Sequence, residues 1–232
     1  MDENIGYGEF EFERRFWVRD FPRQIAGSPA LIVQNYFLAD GSTLPGSRRS
    51  AAQRLLGAGE GYAIRVRCQI SDFTIDDDDA KSLDPTFLNA KSLLLTNRDA
   101  VDFAAITVKG PAAGGTRYES ERELDTGVGV ELIARGSAVV AKLRYSAWIG
   151  QDGWVIDVFL GENAPLIVAE CERSSPVTDL EIPEFCFTEI TDDHRFANDS
   201  LALNPYQNWR RAYEQELAGT GQSFRQDFGT NQ

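Results

Sequence analysis

Charged and apolar residues alternate along much of this chain, and the pattern is clearest near its start. In an extended backbone, Glu11, Glu13 and Arg15 fall on one face. Phe12 and Phe16 fall on the other, with an arginine between them. Aromatic and β-branched residues favour a strand over a helix here. The stretch therefore predicts a β-strand with one charged and one apolar face.

The same alternation recurs, and clusters of Gly, Pro, Asn and Asp separate the repeats. Nearly all of these stretches are joined by short turns, one of them at 152–153, which favours an antiparallel arrangement. The predicted strands cover residues 9–18, 31–38, 62–69, 104–109, 116–124, 138–149, 154–160 and 166–172. Helices are predicted over 85–102, over 125–135 and from 204 onward.

A length of 232 residues with 42% apolar residues fits one globular domain with a substantial core. We expect that domain to span 9–218, between flexible tails at 1–8 and 219–232. Residues 70–100 form an acidic insertion, whose carboxylates at 76–79 are typical of a solvated loop. We expect the insertion to lie outside the sheet and to be dispensable for chemistry.

Composition excludes several classes of partner. The net charge is −13, from 23 basic and 36 acidic residues, which disfavours nucleic acid because phosphate binding needs a basic surface. No apolar run approaches the roughly 18 residues of a membrane helix, and the first residues lack a signal-peptide pattern. Cys68, Cys171 and Cys186 have no metal-binding spacing and predict reduced thiols. We expect a cytoplasmic monomer or homodimer without membrane or nucleic-acid partners.

The charged face of the predicted strands carries almost only full charges, and three strands repeat a Glu-x-Glu pair. Carboxylates spaced in this way repel one another unless cations lie among them. This pattern predicts a site that holds a divalent metal on the carboxylates and a polyanion on the basic side chains. The acidic members are Glu11, Glu13, Glu119, Glu121, Glu123, Asp157, Glu170 and Glu172, and the basic members are Arg15, Arg65, Arg67, Lys109, Lys142 and Arg144.

Two architectures fit this alternation. An open antiparallel sheet would pack its apolar face against helices and leave its charged face in water. A closed barrel would place helices outside and line its interior with the charged face. The alternation by itself does not choose between them.

Nine short motifs, in order over about 9–203, resemble those of the CYTH superfamily, the triphosphate tunnel metalloenzymes. The first is Glu11–Arg15, which is similar to the family's ExExK. The others are Gln34–Tyr36 (QxY), Arg65–Arg67 (RxR), Thr107–Lys109 (TxK), Arg117–Glu121 (an acidic strand), Lys142–Tyr145 (KxRY), Asp157–Phe159 (DxF), Glu170–Glu172 (ExE) and Thr191–Asn198 (TxDxRYxN).

The resemblance implies an α+β fold, a closed eight-stranded antiparallel β-barrel with peripheral helices. It also implies metal-dependent hydrolysis of a small-molecule triphosphate, here inorganic triphosphate (tripolyphosphate), with Mg²⁺ or Mn²⁺. The metal ligands would be Glu11, Glu13, Glu119, Glu121, Asp157, Glu170 and Glu172. The phosphate-binding residues would be Arg65, Arg67, Lys109, Lys142, Arg144 and Arg195.

Arg15 departs from the family pattern, which has lysine there. The family role of that lysine, together with the tyrosine at Tyr36, is to activate water, so Arg15 and Tyr36 are the candidate catalytic residues. Arginine does not lose its proton, which leaves three alternatives: a non-catalytic polyphosphate- or nucleotide-binding protein, a thiamine triphosphatase or, ranked lower, an adenylyl cyclase. His194 is interpreted as a surface residue, and the stripe of Tyr206, Trp209 and Tyr213 as helix docking.

Overall fold

One antiparallel sheet of nine strands forms the body of the protein. The structure is a computed structural model that describes residues 10–22, 25, 27–38, 63–74, 88–110, 116–174, 177 and 179–225. The strands are β1 (Phe10–Val18), β2 (Ala30–Leu38), β3 (Ala63–Ile70), β4 (Phe103–Lys109), β5 (Thr116–Glu123), β6 (Val139–Ile149), β7 (Asp152–Phe159), β8 (Ile167–Arg173) and β9 (Cys186–Glu189).

The strand order is β5-β4-β3-β2-β6-β7-β8-β1-β9. The outer edge of β1 is divided: residues 10–12 pair with β5, and residues 16–18 pair with β9. The predicted closed eight-stranded barrel is therefore wrong. The ninth strand occupies an edge that a closed barrel would leave for β5, which meets β1 over only three residue pairs. The result is a single curved sheet with a concave and a convex side.

The predicted strand boundaries lie close to those of β1–β8, and the predicted division into two faces is confirmed. One turn was placed wrongly: Asp152 and Gly153 begin β7, and the chain reverses at Gly150, which has a φ of +63°. Glycine adopts this left-handed conformation without the steric penalty that other residues suffer.

Four helices lie against the sheet: α1 (Ala90–Thr96), α2 (Thr126–Arg135), α3 (Asn198–Leu203) and α4 (Arg210–Thr220). Asp125 caps α2, because its Oδ1 accepts a 3.0 Å hydrogen bond from the backbone N–H of Val128. On the convex side, α1 and α2 cover a core that includes Val33, Val66 and Leu94. The alternating apolar residues thus become buried by helices that follow them in sequence.

At one end, the concave side is apolar and is plugged by the C-terminal helices. Trp17, Val140 and Phe159 belong to the concave face and pack against Phe196 and Tyr213. We call this cluster the apolar plug. The aromatic stripe at 206, 209 and 213 lies in it or against it, so its interpretation as helix docking is confirmed.

The acidic block at 76–79 lies outside the described residues, but both ends of the predicted insertion pack on the core. Phe73 and Leu88 contact the convex-side cluster, and Leu94 is 1% exposed within it. The described start of the predicted C-terminal tail is also bound, since Ser223 and Arg225 hydrogen-bond to β9. No helix in the described part of the chain is long and apolar enough to span a membrane.

Leu94 tests whether the end of the insertion belongs to the core. Leu94→Ala should lower the free energy of unfolding by about 2–5 kcal/mol, because it removes a buried side chain and leaves a cavity. The neighbouring Leu95 is 41% exposed, so Leu95→Ala is the matched control and should have little effect. Equal denaturation midpoints for the two variants would contradict the packing described for α1.

Candidate active site

The charged part of the concave face encloses a cavity of about 700 Å³. All strands from β1 to β6, together with β8, contribute side chains to it, as does the segment 191–199. The predicted residues that line it are Glu11, Glu13, Arg15, Tyr36, Arg65, Arg67, Lys109, Glu119, Glu121, Lys142, Arg144, Glu170 and Glu172. The structure therefore brings together residues that lie up to 161 positions apart in the sequence.

Asp157 lies beneath the cavity wall and binds two of its cations. Its carboxylate accepts hydrogen bonds from Lys142 Nζ at 2.5 Å and from Arg144 Nε and Nη2 at 2.8 and 2.7 Å. Its side chain has no exposure. Although burial opposes the charged form, Arg144 and Lys142 lower the pKa of Asp157 to about 2. This carboxylate is thus committed to orienting two cations.

A second group of charges lies on β3, β4 and β5. Glu121 accepts hydrogen bonds from Thr107 Oγ1 at 2.7 Å, Arg65 Nη2 at 3.1 Å and Arg67 Nη2 at 3.0 Å. Burial alone would raise the pKa of Glu121, but these contacts hold it below its usual value. Glu119 forms an ion pair with Lys109 on the neighbouring strand. Two predicted metal ligands are therefore engaged with cations.

The remaining carboxylates form an acidic cluster of Glu11, Glu13, Glu170 and Glu172. Strand register produces it, because Glu13 pairs with Glu172 across β1 and β8. Withdrawal from bulk water, followed by the charges of Glu11, Glu170 and Glu13, raises the pKa of Glu172 to about 7. Burial, followed by the charge of Asp157, also raises the pKa of Glu170. These shifts show repulsion that the surrounding cations leave uncompensated.

The acidic cluster has the chemistry of a site for a hard divalent cation. Among the described residues, no three His, Cys, Asp or Glu side chains are close enough to hold a metal by themselves. Mg²⁺, however, typically uses one or two carboxylates and completes its shell with water and phosphate oxygens. Oxygen donors that repel one another fit a cation completed by a phosphate ligand.

Arg15 holds a segment of the cavity wall. Its guanidinium donates to the backbone carbonyls of Thr191 at 3.0 Å and Phe196 at 3.4 Å. Its own backbone N–H donates to Thr191 Oγ1 at 3.1 Å. Glu13 lies 3.5 Å from its Nε. Three of these contacts fix the start and the end of the turn that carries His194.

Tyr36, the other candidate catalytic residue, is 5% exposed and lines the cavity. Its hydroxyl donates to Gln34 Oε1 at 3.1 Å on the same strand face. Its position on β2 places it beside Arg65, its register partner on β3. The hydroxyl is thus oriented toward the cavity by an uncharged acceptor and lies close to phosphate-binding candidates.

The segment 191–199 holds the main differences between the sequence prediction and the geometry. Arg195 lies outside the cavity lining, where it pairs with Asp193 at 2.7 Å and Glu216 at 2.8 Å. His194 is exposed yet lines the cavity. A 3₁₀ turn rotates successive side chains by a third of a circle, so spacing in the sequence did not indicate which residue faces inward. Other lining residues that the site prediction missed are Gln34, Ala63, Thr191, Asp192, Ala197, Asn198 and Asp199.

Comparison with known proteins gives one strong sequence match. The chain is 31% identical over 147 residues to an inorganic triphosphatase from Acetivibrio thermocellus, and the match covers 60% of this chain and 94% of that protein. No protein-family model matches the chain.

Two solved structures have related folds, with weaker similarity. A crystal structure of an inorganic triphosphatase is 22% identical, with a TM-score of 0.46 over 84% of this chain and 95% of its own. A Hippeastrum protein described as having a dominant triphosphatase activity is 12% identical, with a TM-score of 0.37 over 72% of this chain and 80% of its own. The family assignment therefore rests on the sequence match.

The acidic cluster predicts that stability falls as pH rises. The folded state holds a proton on Glu172 with a pKa of about 7, whereas an unfolded glutamate has a pKa of about 4.3. The folded protein binds more protons in between, so stability is lost as pH rises through about 7. Without divalent cations, Glu172→Gln should melt above the parent protein at pH 8 and with it at pH 4. Thermal melts across this range measure the effect.

Glu162→Gln is the control, because Glu162 is exposed in the turn before β8. It should leave the pH dependence of melting unchanged. A constant difference between Glu172→Gln and the parent at every pH would show that repulsion within the acidic cluster is not the cause.

Proposed function

This chain belongs to the inorganic triphosphatases of the CYTH superfamily, and we propose that it hydrolyses inorganic triphosphate with a divalent cation. The observation that supports this most directly is a cavity lined by eight carboxylates and six Lys or Arg side chains. A polyanion needs the cations, whereas the excess of carboxylates repels it. A metal ion that bridges carboxylates and phosphate oxygens removes that conflict.

In this proposal the phosphates are bound by Arg65, Arg67, Lys109, Lys142 and Arg144. Their partners Asp157, Glu119 and Glu121 fix the direction of each cation before substrate arrives. Preorganised cations stabilise the charge that develops on the transferred phosphoryl group without reorganising during the reaction. Arg65 and Arg67 can each contact phosphate in a bidentate manner, which also fixes its orientation.

The acidic cluster is the proposed site for Mg²⁺ or Mn²⁺, held by Glu11, Glu13, Glu170 and Glu172. When bound, the ion would act as a Lewis acid toward phosphate oxygens. Asp157, Glu119 and Glu121 were also predicted as metal ligands, but their ion pairs favour a role in orienting cations.

We propose that Tyr36 orients the reacting group through its hydroxyl and that Arg15 is a positioning residue. Arg15 stays protonated, and two of its donors are engaged by the carbonyls of Thr191 and Phe196. It therefore acts on the cavity through the wall segment rather than as a base.

We also propose a cytoplasmic location and no nucleic-acid partner. Cys68, Cys171 and Cys186 are free thiols and buried, which fits a reducing compartment. The net charge of −13 disfavours binding to a nucleic-acid backbone.

The proposed metal site can be tested through Glu11 and Glu13. The parent should release phosphate from tripolyphosphate with Mg²⁺ or Mn²⁺. The double variant Glu11→Gln/Glu13→Gln should lose most of this turnover and the rise in melting temperature on metal addition, because amides bind hard cations poorly. Phosphate release and thermal melts with each metal are the measurements.

Glu123→Gln is the matched control, since Glu123 is an exposed β5 residue outside the cavity lining. It should retain turnover. Parent-like hydrolysis by the double variant would place the metal elsewhere. A parent that binds tripolyphosphate with metal and never hydrolyses it would instead support a non-catalytic binding protein.

Arg15→Lys tests the positioning role. A single ammonium cannot span the two carbonyls as a guanidinium does, so we expect a loss of about 1–3 kcal/mol in stability from the missing hydrogen bonds. Turnover of tripolyphosphate should fall with it. Arg173→Lys is the control, because Arg173 makes comparable ion pairs with Asp152 and Asp179 on the convex side. Higher turnover in Arg15→Lys than in the parent would show that lysine chemistry, not positioning, is the function of this position.

A further inference from the structure

Trp148 stands out among the described residues because its side chain is 81% exposed. Trp17 and Trp154 are 8% and 1% exposed, so this tryptophan is not explained by the core. A single exposed apolar side chain is ordinary on a protein surface. Its meaning therefore depends on where it lies relative to the cavity.

Trp148 lies on the same face of β6 as Lys142 and Arg144. The β6–β7 register runs without a break from Lys142↔Phe159 to Ile149↔Asp152, so side chains alternate regularly along β6. Its neighbours Ala147 and Ile149 pack against the convex-side core. The indole therefore belongs to the concave side, beyond the charged residues.

Trp148 also lies at the end of the cavity that the apolar plug leaves uncovered. Lys142 lies 3.5 Å from Asn198, next to the plug, and Trp148 is six residues farther along β6. At roughly 3.3 Å per residue, the Cα atoms of Arg144 and Trp148 are about 13 Å apart. We call this uncovered end the mouth of the cavity.

The indole lies across a gap in the wall beside the acidic cluster. Its Cη2 is 3.9 Å from the position that a Cβ of Gly153 would occupy. Trp154 pairs with Cys171, which places Gly153 alongside Glu172 on β8. Because residue 153 has no side chain, nothing on β7 separates the indole from the carboxylate side of the mouth.

We infer that Trp148 is a stacking platform for the flat ring of a triphosphate ester, namely the base of a nucleoside triphosphate whose phosphates occupy the cavity. The inference rests on the proposed function. Glu11 and Glu172 at the mouth disfavour a further phosphate there and favour a neutral or positively charged group. An exposed indole face binds such a ring by stacking. The separation from Arg144 leaves room for the sugar between the ring and the bound phosphates.

The test compares substrates with and without a ring in the presence of Mg²⁺. Trp148→Ala should lower kcat/KM for ATP relative to that for tripolyphosphate by about tenfold, the loss expected for one stacked base. Trp148→Phe should restore most of the ratio. Val128→Ala is the control, since Val128 is 49% exposed on α2 away from the cavity, and should leave the ratio unchanged. Thiamine triphosphate forms a third arm, which distinguishes a nucleobase from a cationic ring.

A second measurement does not depend on turnover. ATP should shield tryptophan fluorescence from acrylamide quenching more than tripolyphosphate does, and this difference should vanish in Trp148→Phe. Equal substrate ratios in Trp148→Ala and the parent, or equal shielding by the two ligands, would overturn the inference. A ratio change for thiamine triphosphate alone would also overturn the assignment of a nucleobase. Failure of the parent to hydrolyse tripolyphosphate would instead count against the proposed function, because the shielding measurement remains decisive for the platform.

Discussion

The structure depends on the pairing of charges that have been taken out of water. Asp157 has no exposure and is surrounded by the ammonium of Lys142 and the guanidinium of Arg144. An isolated buried charge costs several kcal/mol, and that cost is offset only when partners and hydrogen bonds are in place. The concave face can therefore carry so many charged side chains only because strand register sets basic residues opposite acidic ones.

The same constraint operates on the convex side. Arg14 lies among apolar residues and is 2% exposed, and its guanidinium binds the carboxylate of Glu189 at 2.5 and 2.9 Å. Glu189 belongs to β9, so one buried ion pair accompanies the strand that takes the edge of β1. The departure from a closed eight-stranded barrel is thus connected to a single arginine on the apolar face of the first strand.

Much of the fold could be predicted because alternation with period two is a local property. It located eight strands, and strand register then placed Glu13 beside Glu172 without further information. The ninth strand escaped prediction because it has only four residues and shows no clear alternation. The signal that pointed to it was the arginine between Phe12 and Phe16, since a cation on an apolar face needs a carboxylate partner from elsewhere.

The site was predictable where strands carry it and not where turns do. Every predicted cavity residue on a strand faces inward or, like Asp157, supports those that do. His194 and Arg195 exchanged their expected roles because a 3₁₀ turn has no binary pattern that marks its inner side. Trp148 was equally hidden, since the sequence does not show that a strand continues past the wall it belongs to.

The apolar plug has a consequence for the traffic of small anions. With Trp17, Phe159 and Tyr213 packed across one end, substrate and product share the mouth as their route. Pyrophosphate and phosphate present the same oxygens to the same cations as the substrate does. Departure and arrival must then alternate, so the residence time of the product sets an upper limit on the rate at which the cavity can be refilled.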